Sequence, residues 1–110
     1  MNPIFEKMNL LQTVSDISEY TNFIVSEVND HVVRIAVIDG EYHWYEHDTD
    51  ELFMVLEGEL FIDLENNESI SLLLGEIFKV PVFTQHRTRS TRRTVNLCFE
   101  TKENDIKGKS

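Results

Sequence analysis

Residues 40–60 read Gly40-Glu-Tyr-His-Trp-Tyr-Glu-His-Asp-Thr-Asp-Glu-Leu-Phe-Met-Val-Leu-Glu-Gly-Glu-Leu60, a pattern of two strands with a sharp reversal between them. Successive side chains of a strand point to opposite faces, so a strand over 42–47 puts His43, Tyr45 and His47 on one side. Asp48-Thr49-Asp50 supplies short polar side chains that bond their own backbone in turns. The next strand, over 51–57, opens with Glu51, which the reversal sets beside His47 on the same face. Along it Glu51, Phe53 and Val55 alternate with Leu52, Met54 and Leu56, so both faces are largely apolar and both need a cover. One face lines the interior, with Phe53 and Val55 as pocket-wall residues. The other is covered by the N-terminal segment or by a second copy of the chain, and a homodimer is the expectation.

The same rhythm continues on either side. Short runs of Val, Ile, Leu, Phe and Tyr recur at roughly ten-residue intervals from about Val32 onward, which signals an all-β sandwich or barrel. Strands are expected over 23–28, 31–38, 42–47, 51–57, 59–65, 69–73, 77–80, 85–89 and 94–100. Between them stand Asn29-Asp30, Asp39-Gly40, Gly58, Asn66-Asn67, Gly75 and Pro81, each suited to a turn. Upstream, Leu10, Val14 and Ile17 recur at helical spacing, and Thr13 with Asp16 resembles a capping box, so a short helix is expected to begin there. The division that follows is an N-terminal extension over 1–22, a barrel over 23–101 and a flexible tail over 102–110, whose polar residues offer little to bury.

Charge narrows the partners. With 20 acidic residues against 10 basic ones the formal net charge is -10, which repels phosphate backbones and anionic lipid, so neither nucleic acid nor membrane is expected. Arg87, Arg89, Arg92 and Arg93 form the basic cluster of the chain and read as a solvated surface, with anion binding as the alternative. The start carries no basic and apolar leader pattern and no long apolar run follows, which predicts a soluble cytoplasmic protein. A single cysteine, Cys98, rules out an internal disulfide and reads as a buried strand thiol.

Chemistry points to three residues. His47 and Glu51 flank one turn, and His86 comes from a strand much farther along. Two imidazoles and a carboxylate are the set that holds a divalent transition metal and leaves positions open. Four histidines in 110 residues are unremarkable, however, and an ordinary turn-flanking pair with His86 at the surface accounts for the same residues. His43 lies on the order of 13 Å from His47 along an extended strand, too far for one ion, and reads as a pocket-wall or rim residue. Phe61, Phe78 and Trp44 read as core or pocket wall.

The stretch Gly40–Leu60 resembles the first motif of the cupin superfamily, an H-x-H pair followed after three or four residues by Glu and, with six residues between, by Gly; Glu51 and Gly58 satisfy that spacing. Gly75-Glu-Ile-Phe-Lys-Val-Pro-Val-Phe-Thr-Gln-His86 resembles the second, with Gly75, Pro81 and His86 in place. The resemblance implies a small all-β double-stranded β-helix, a cupin or jelly-roll barrel, with His47, Glu51 and His86 as ligands of Fe, Zn, Ni or Mn. Three departures stand out. Tyr45 occupies the slot of the first imidazole, as a fourth ligand, a hydrogen-bonding wall residue or the mark of a decayed site. Phe83 occupies the place of a Gly, and Ser90 that of an Asn. Two functions remain open: a barrel binding a small molecule, with or without a metal, and a metal-dependent enzyme of isomerase or oxygenase type, for which Tyr45 and His43 are the available acid–base groups.

Overall fold

In the computed structural model, which describes residues 6–103, one helical turn precedes seven strands: α1 (Leu10–Thr13), β1 (Thr21–Val28), β2 (His31–Glu41), β3 (Glu51–Glu57), β4 (Leu60–Leu64), β5 (Ser69–Leu72), β6 (Ile77–Val80) and β7 (His86–Thr101). Every strand pair is antiparallel. The main sheet runs β1-β2-β7-β3-β6, with β4 and β5 continuing from β7. The long strand β7 organises the barrel. One edge pairs with β2 throughout, while the other pairs first with β4, Phe61 against Arg89, and then with β3, Leu52 against Phe99. No helix of the described residues is long and apolar enough to cross a membrane.

Two apolar groups hold the layers. Inside the barrel lie Ile38, Phe53, Val55, Leu60, Ile62, Leu72, Val80 and Cys98. Outside the main sheet lie Ile35, Val37, Val95 and Leu97 with Met54 and Leu56, and the N-terminal Leu10, Val14 and Ile17 pack on them. The N-terminal segment thus covers part of the second face of β3, on which Leu52, Met54 and Leu56 stay half-buried. Arg93 fastens this cover: its guanidinium donates to the carbonyls of Ile17 and Val14 and to Glu57. Val14 is fully buried as a result.

Four expectations are corrected. No strand forms over 42–47. The Tyr42 N–H donates to Thr88 O at 3.0 Å, and Tyr45 and His86 then exchange both backbone hydrogen bonds in a single bridge. Residues 43 and 44 have no ladder to join, so His43 turns to solvent while Tyr45 and His47 remain buried. Trp44 follows His43 outward, 40% exposed, with the Arg87 guanidinium 5.3 Å from its ring. The strands expected over 85–89 and 94–100 are one: residues 91–93 bulge out of β7 opposite Asp39 alone, and the Ser90 hydroxyl, donating to Ile38 O and accepting from the Gly40 N–H, ties the strand back to β2 beyond the bulge. Finally, the helix does not begin at Thr13 but ends there. Asn9 is the cap, accepting from the Gln12 N–H at 3.0 Å, which starts the turn earlier and aims Val14 at the sheet.

The arginine cluster is not a free solvated patch. Arg87 and Arg89 both donate to Asp63 at 2.8 Å, Arg92 approaches Glu59 at 3.7 Å, and Arg93 holds the N-terminal segment.

Candidate metal centre

The register of β3 against β7, Leu52 opposite Phe99 and Phe53 opposite Cys98, sets Glu51 beside Glu100 on the inner face. Both carboxylates are buried, 5% and 2% exposed. Two like charges in a low-dielectric interior repel strongly, so cationic or proton-bearing partners must meet them. Arg34, on the neighbouring β2, donates Nε to Glu100 at 2.7 Å. His86 Nε2 lies 3.0 Å from Glu51 Oε1, and the Cys98 thiol donates to Glu51 Oε2 at 3.1 Å.

His47 enters from the loop ahead of β3, its carbonyl held by the Phe83 N–H at 2.8 Å. Its Nε2 stands 3.7 Å from Glu51 and 3.8 Å from Glu100, beyond hydrogen-bond length. That nitrogen is fully buried and makes no hydrogen bond to the described residues. The donor atoms of His47, Glu51 and Glu100 lie within 4.8 Å of one another. Ligands at about 2.0–2.2 Å from one ion stand roughly 3–4 Å apart, so the two gaps at His47 match a shared ion better than a hydrogen bond. His86 is held at both ring nitrogens: Nδ1 meets Thr84 O at 2.8 Å and Nε2 meets Glu51 Oε1 at 3.0 Å. Both partners can only accept, so each contact asks for a proton from the ring, and His86 serves Glu51 as a hydrogen-bond donor.

The charges respond to one another. Burial pushes the Glu51 carboxyl up, but its contacts with His47, His86 and Cys98 win and hold its pKa at about 2, ionised at neutral pH. Burial pulls His47 toward the neutral form, yet Glu51, Glu100 and Asp48 outweigh it and raise its pKa above the usual value. The Tyr45 phenol is pushed well above its ordinary range by burial and then by Glu51, Cys98 and Glu100. It is held as the neutral phenol. The same causes, burial first, hold Cys98 as a thiol.

Beside this group the barrel keeps a narrow cavity, walled by Arg34, Asn22, Tyr45, Phe53, Asn96 and Cys98 among others, with Tyr20 and Tyr42 also lining it. Those two rings stack at 5.1 Å. Room for the centres of water-sized groups amounts to about 30 Å³, enough for two or three waters.

The structure brings His47 and His86 each to Glu51, at 3.7 and 3.0 Å, but the set that closes within 4.8 Å takes Glu100 as its third member in place of the expected His86; the Tyr45 ring lies 4.3 Å from that of His86. Phe53 is in the cavity wall. Val55 is not among the lining residues; two positions deeper along β3, it packs in the apolar core. His43 is at the exposed rim, its ring 4.2 Å from that of Tyr42. Sequence reasoning missed Glu100 and Arg34. The available signal was a charge inside an otherwise apolar strand, in Val32-Val-Arg-Ile-Ala-Val-Ile38 and in Val95-Asn-Leu-Cys-Phe-Glu100; two such charges of opposite sign are candidates to meet.

No protein-family model matches the chain. The uncharacterized protein YdbB of Bacillus subtilis (strain 168) is 53% identical over 97 residues, 86% of this chain and 86% of that protein. Among solved structures, a cupin-2 domain containing protein from Shewanella frigidimarina NCIMB 400 superposes with a TM-score of 0.80 at 28% identity, over 86% of this chain and 94% of that one. Protein NMB1881 from Neisseria meningitidis gives a TM-score of 0.77 at 27% identity, over 87% and 99%. A cupin superfamily protein from Desulfitobacterium hafniense DCB-2 shares the fold with a TM-score of 0.75 at 16% identity, over 92% and 95%. With an antiparallel barrel of this topology, both motifs in place and these likenesses over most of its length, the chain belongs to the cupin superfamily as one of its small members.

Proposed function

We propose that this protein binds a small molecule at a divalent metal held by His47, Glu51 and Glu100, with His86 bonded to Glu51 beside it. One observation carries the reading: His47 Nε2 is buried without a hydrogen-bond partner among the described residues, between two carboxylates. A buried polar atom left unsatisfied costs about 1–3 kcal/mol, and a cation shared with Glu51 and Glu100 removes that cost. A mixed carboxylate and imidazole set suits Fe, Mn or Zn. An ion there supplies Lewis acidity to a ligand oxygen.

Binding is favoured over turnover because neither acid–base candidate offers a base at the cavity: Tyr45, in its wall, is held as a neutral phenol that can only give a proton, and His43 is exposed outside it.

The test is metal uptake. Protein equilibrated in turn with Fe²⁺, Mn²⁺, Zn²⁺ and Ni²⁺ and then desalted should retain close to one ion per chain for at least one of them. Glu100→Gln should weaken that retention at least tenfold, and His47→Leu should abolish it. At a free-ion concentration a hundred times Kd the folded state gains about 2.7 kcal/mol, visible as a rise in Tm that a chelator reverses. A folded wild-type chain that retains none of the four ions overturns the reading.

A further inference from the structure

The fully buried side-chain N and O atoms without a hydrogen-bond partner among the described residues are His47 Nε2 and Asn22 Oδ1. They belong to one place. Asn22 lines the cavity from β1, and His47 stands within 3.8 Å of Glu51 and Glu100, which line it from β3 and β7. Asn22 and Asn96 both pair with Ala36 of β2, so one row of the sheet presents two amides to the cavity, with Arg34 in the adjacent row. Core positions of this kind are ordinarily apolar, since a polar group there costs free energy unless it is bonded. The wall is built for a polar occupant.

Charge states its sign, on the reading that a divalent ion sits at His47, Glu51 and Glu100. Two carboxylates balance such an ion, so the buried Arg34 guanidinium, together with any second ring proton on His86 between Thr84 O and Glu51, leaves positive charge in excess. Arg34 gives Nε to Glu100 and is itself 9% exposed; a guanidinium has further N–H donors in its planar fork. An anionic occupant offsets that excess. The cavity room of about 30 Å³ restricts it to a few heavy atoms, with anything larger extending past Tyr20 and Tyr42. The Asn22 carbonyl oxygen asks in addition for a donor.

We propose that the cavity takes a small hydroxy acid, its carboxylate met by the metal and Arg34 and its hydroxyl donating to Asn22 Oδ1.

Glycolate, glycolamide and methoxyacetate separate the claims, because the second lacks the charge and the third lacks the hydroxyl donor. Metal content is fixed first by elemental analysis, and each compound is then titrated calorimetrically into the metal-loaded and the metal-free chain. Glycolate should bind the loaded chain at least tenfold tighter than glycolamide or methoxyacetate, and at least tenfold tighter than it binds the metal-free chain. Asn22→Leu should remove the preference for glycolate over methoxyacetate while retaining metal, and Arg34→Lys should weaken glycolate without inverting its preference over glycolamide. Equal affinities for the three compounds, or no binding by a chain that does hold metal, overturn this inference and leave the metal site standing. A folded chain without metal uptake overturns both.

Discussion

Phe83 holds its backbone at φ +57°, a left-handed conformation in which a side chain crowds its own carbonyl at a cost of roughly 1–2 kcal/mol. The conformation aims its N–H at His47 O. A glycine in this place, as in the motif the stretch resembles, serves the same geometry without the crowding. The ring is 63% exposed and loses little by removal, so Phe83→Gly should raise the urea-unfolding free energy by about 0.5–1 kcal/mol, the net of relieved strain and added chain entropy; a loss of stability would show that the ring has a role in packing. Gly58, at φ +84° between β3 and β4, is the opposite case. A Cβ there would lie 2.7 Å from Arg93 O and 2.9 Å from Thr94 Cα, and backbone cannot yield as a flexible side chain can. Gly58→Ala should destabilise by roughly 2–3 kcal/mol, and an unchanged denaturant midpoint would contradict the tight turn. At this scale the sequence was informative where a motif sets spacing: His47, Glu51 and His86 could be named. Glu100 could not, because no local pattern says that a carboxylate at the end of one strand will register against the first residue of another.

Among the elements, β4 and β7 meet through Asp63, which accepts from Arg87, Arg89 and Ser69. Arg89 foremost, then Arg87 and Ser69, hold its carboxyl well below the usual range against the opposing effect of burial. A folded-state pKa below the unfolded value of about 3.9 makes the stabilisation complete above that pH. It is lost as the pH falls from about 4 toward the folded value. Asp63→Asn should therefore cost about 2 kcal/mol at pH 7, and the gap between wild type and variant in urea unfolding should close progressively below pH 4. A gap that does not change with pH would mean the charge is not what joins these strands. Strand rhythm in the sequence located the elements with two exceptions, and each had a non-local cause. The bridge of Tyr45 to His86 replaced a local strand, and the Ser90 hydroxyl carried β7 through a polar run that reads as a break.

Across the whole molecule, the interior is divided. One end is apolar, around Leu60, Ile62 and Leu72; the other holds Arg34, Glu51, Glu100, His47 and His86, all 9% exposed or less. Buried charges of this number contribute little to net stability even when paired, so their retention points to a task for that end of the barrel. The barrel itself was legible from turn spacing and from the two motifs, whereas the part of its outer face that Val14 and Ile17 cover became visible only in the packing of the N-terminal segment.

If His47, Glu51 and Glu100 share one cation, anomalous diffraction from crystals equilibrated with Zn²⁺ or Mn²⁺ locates it. One strong peak is expected inside the barrel, about 2.0–2.2 Å from His47 Nε2 and from an oxygen of each carboxylate. An ordered water bonded to His47 Nε2 with no anomalous signal, or a peak only at the acidic surface, would contradict it.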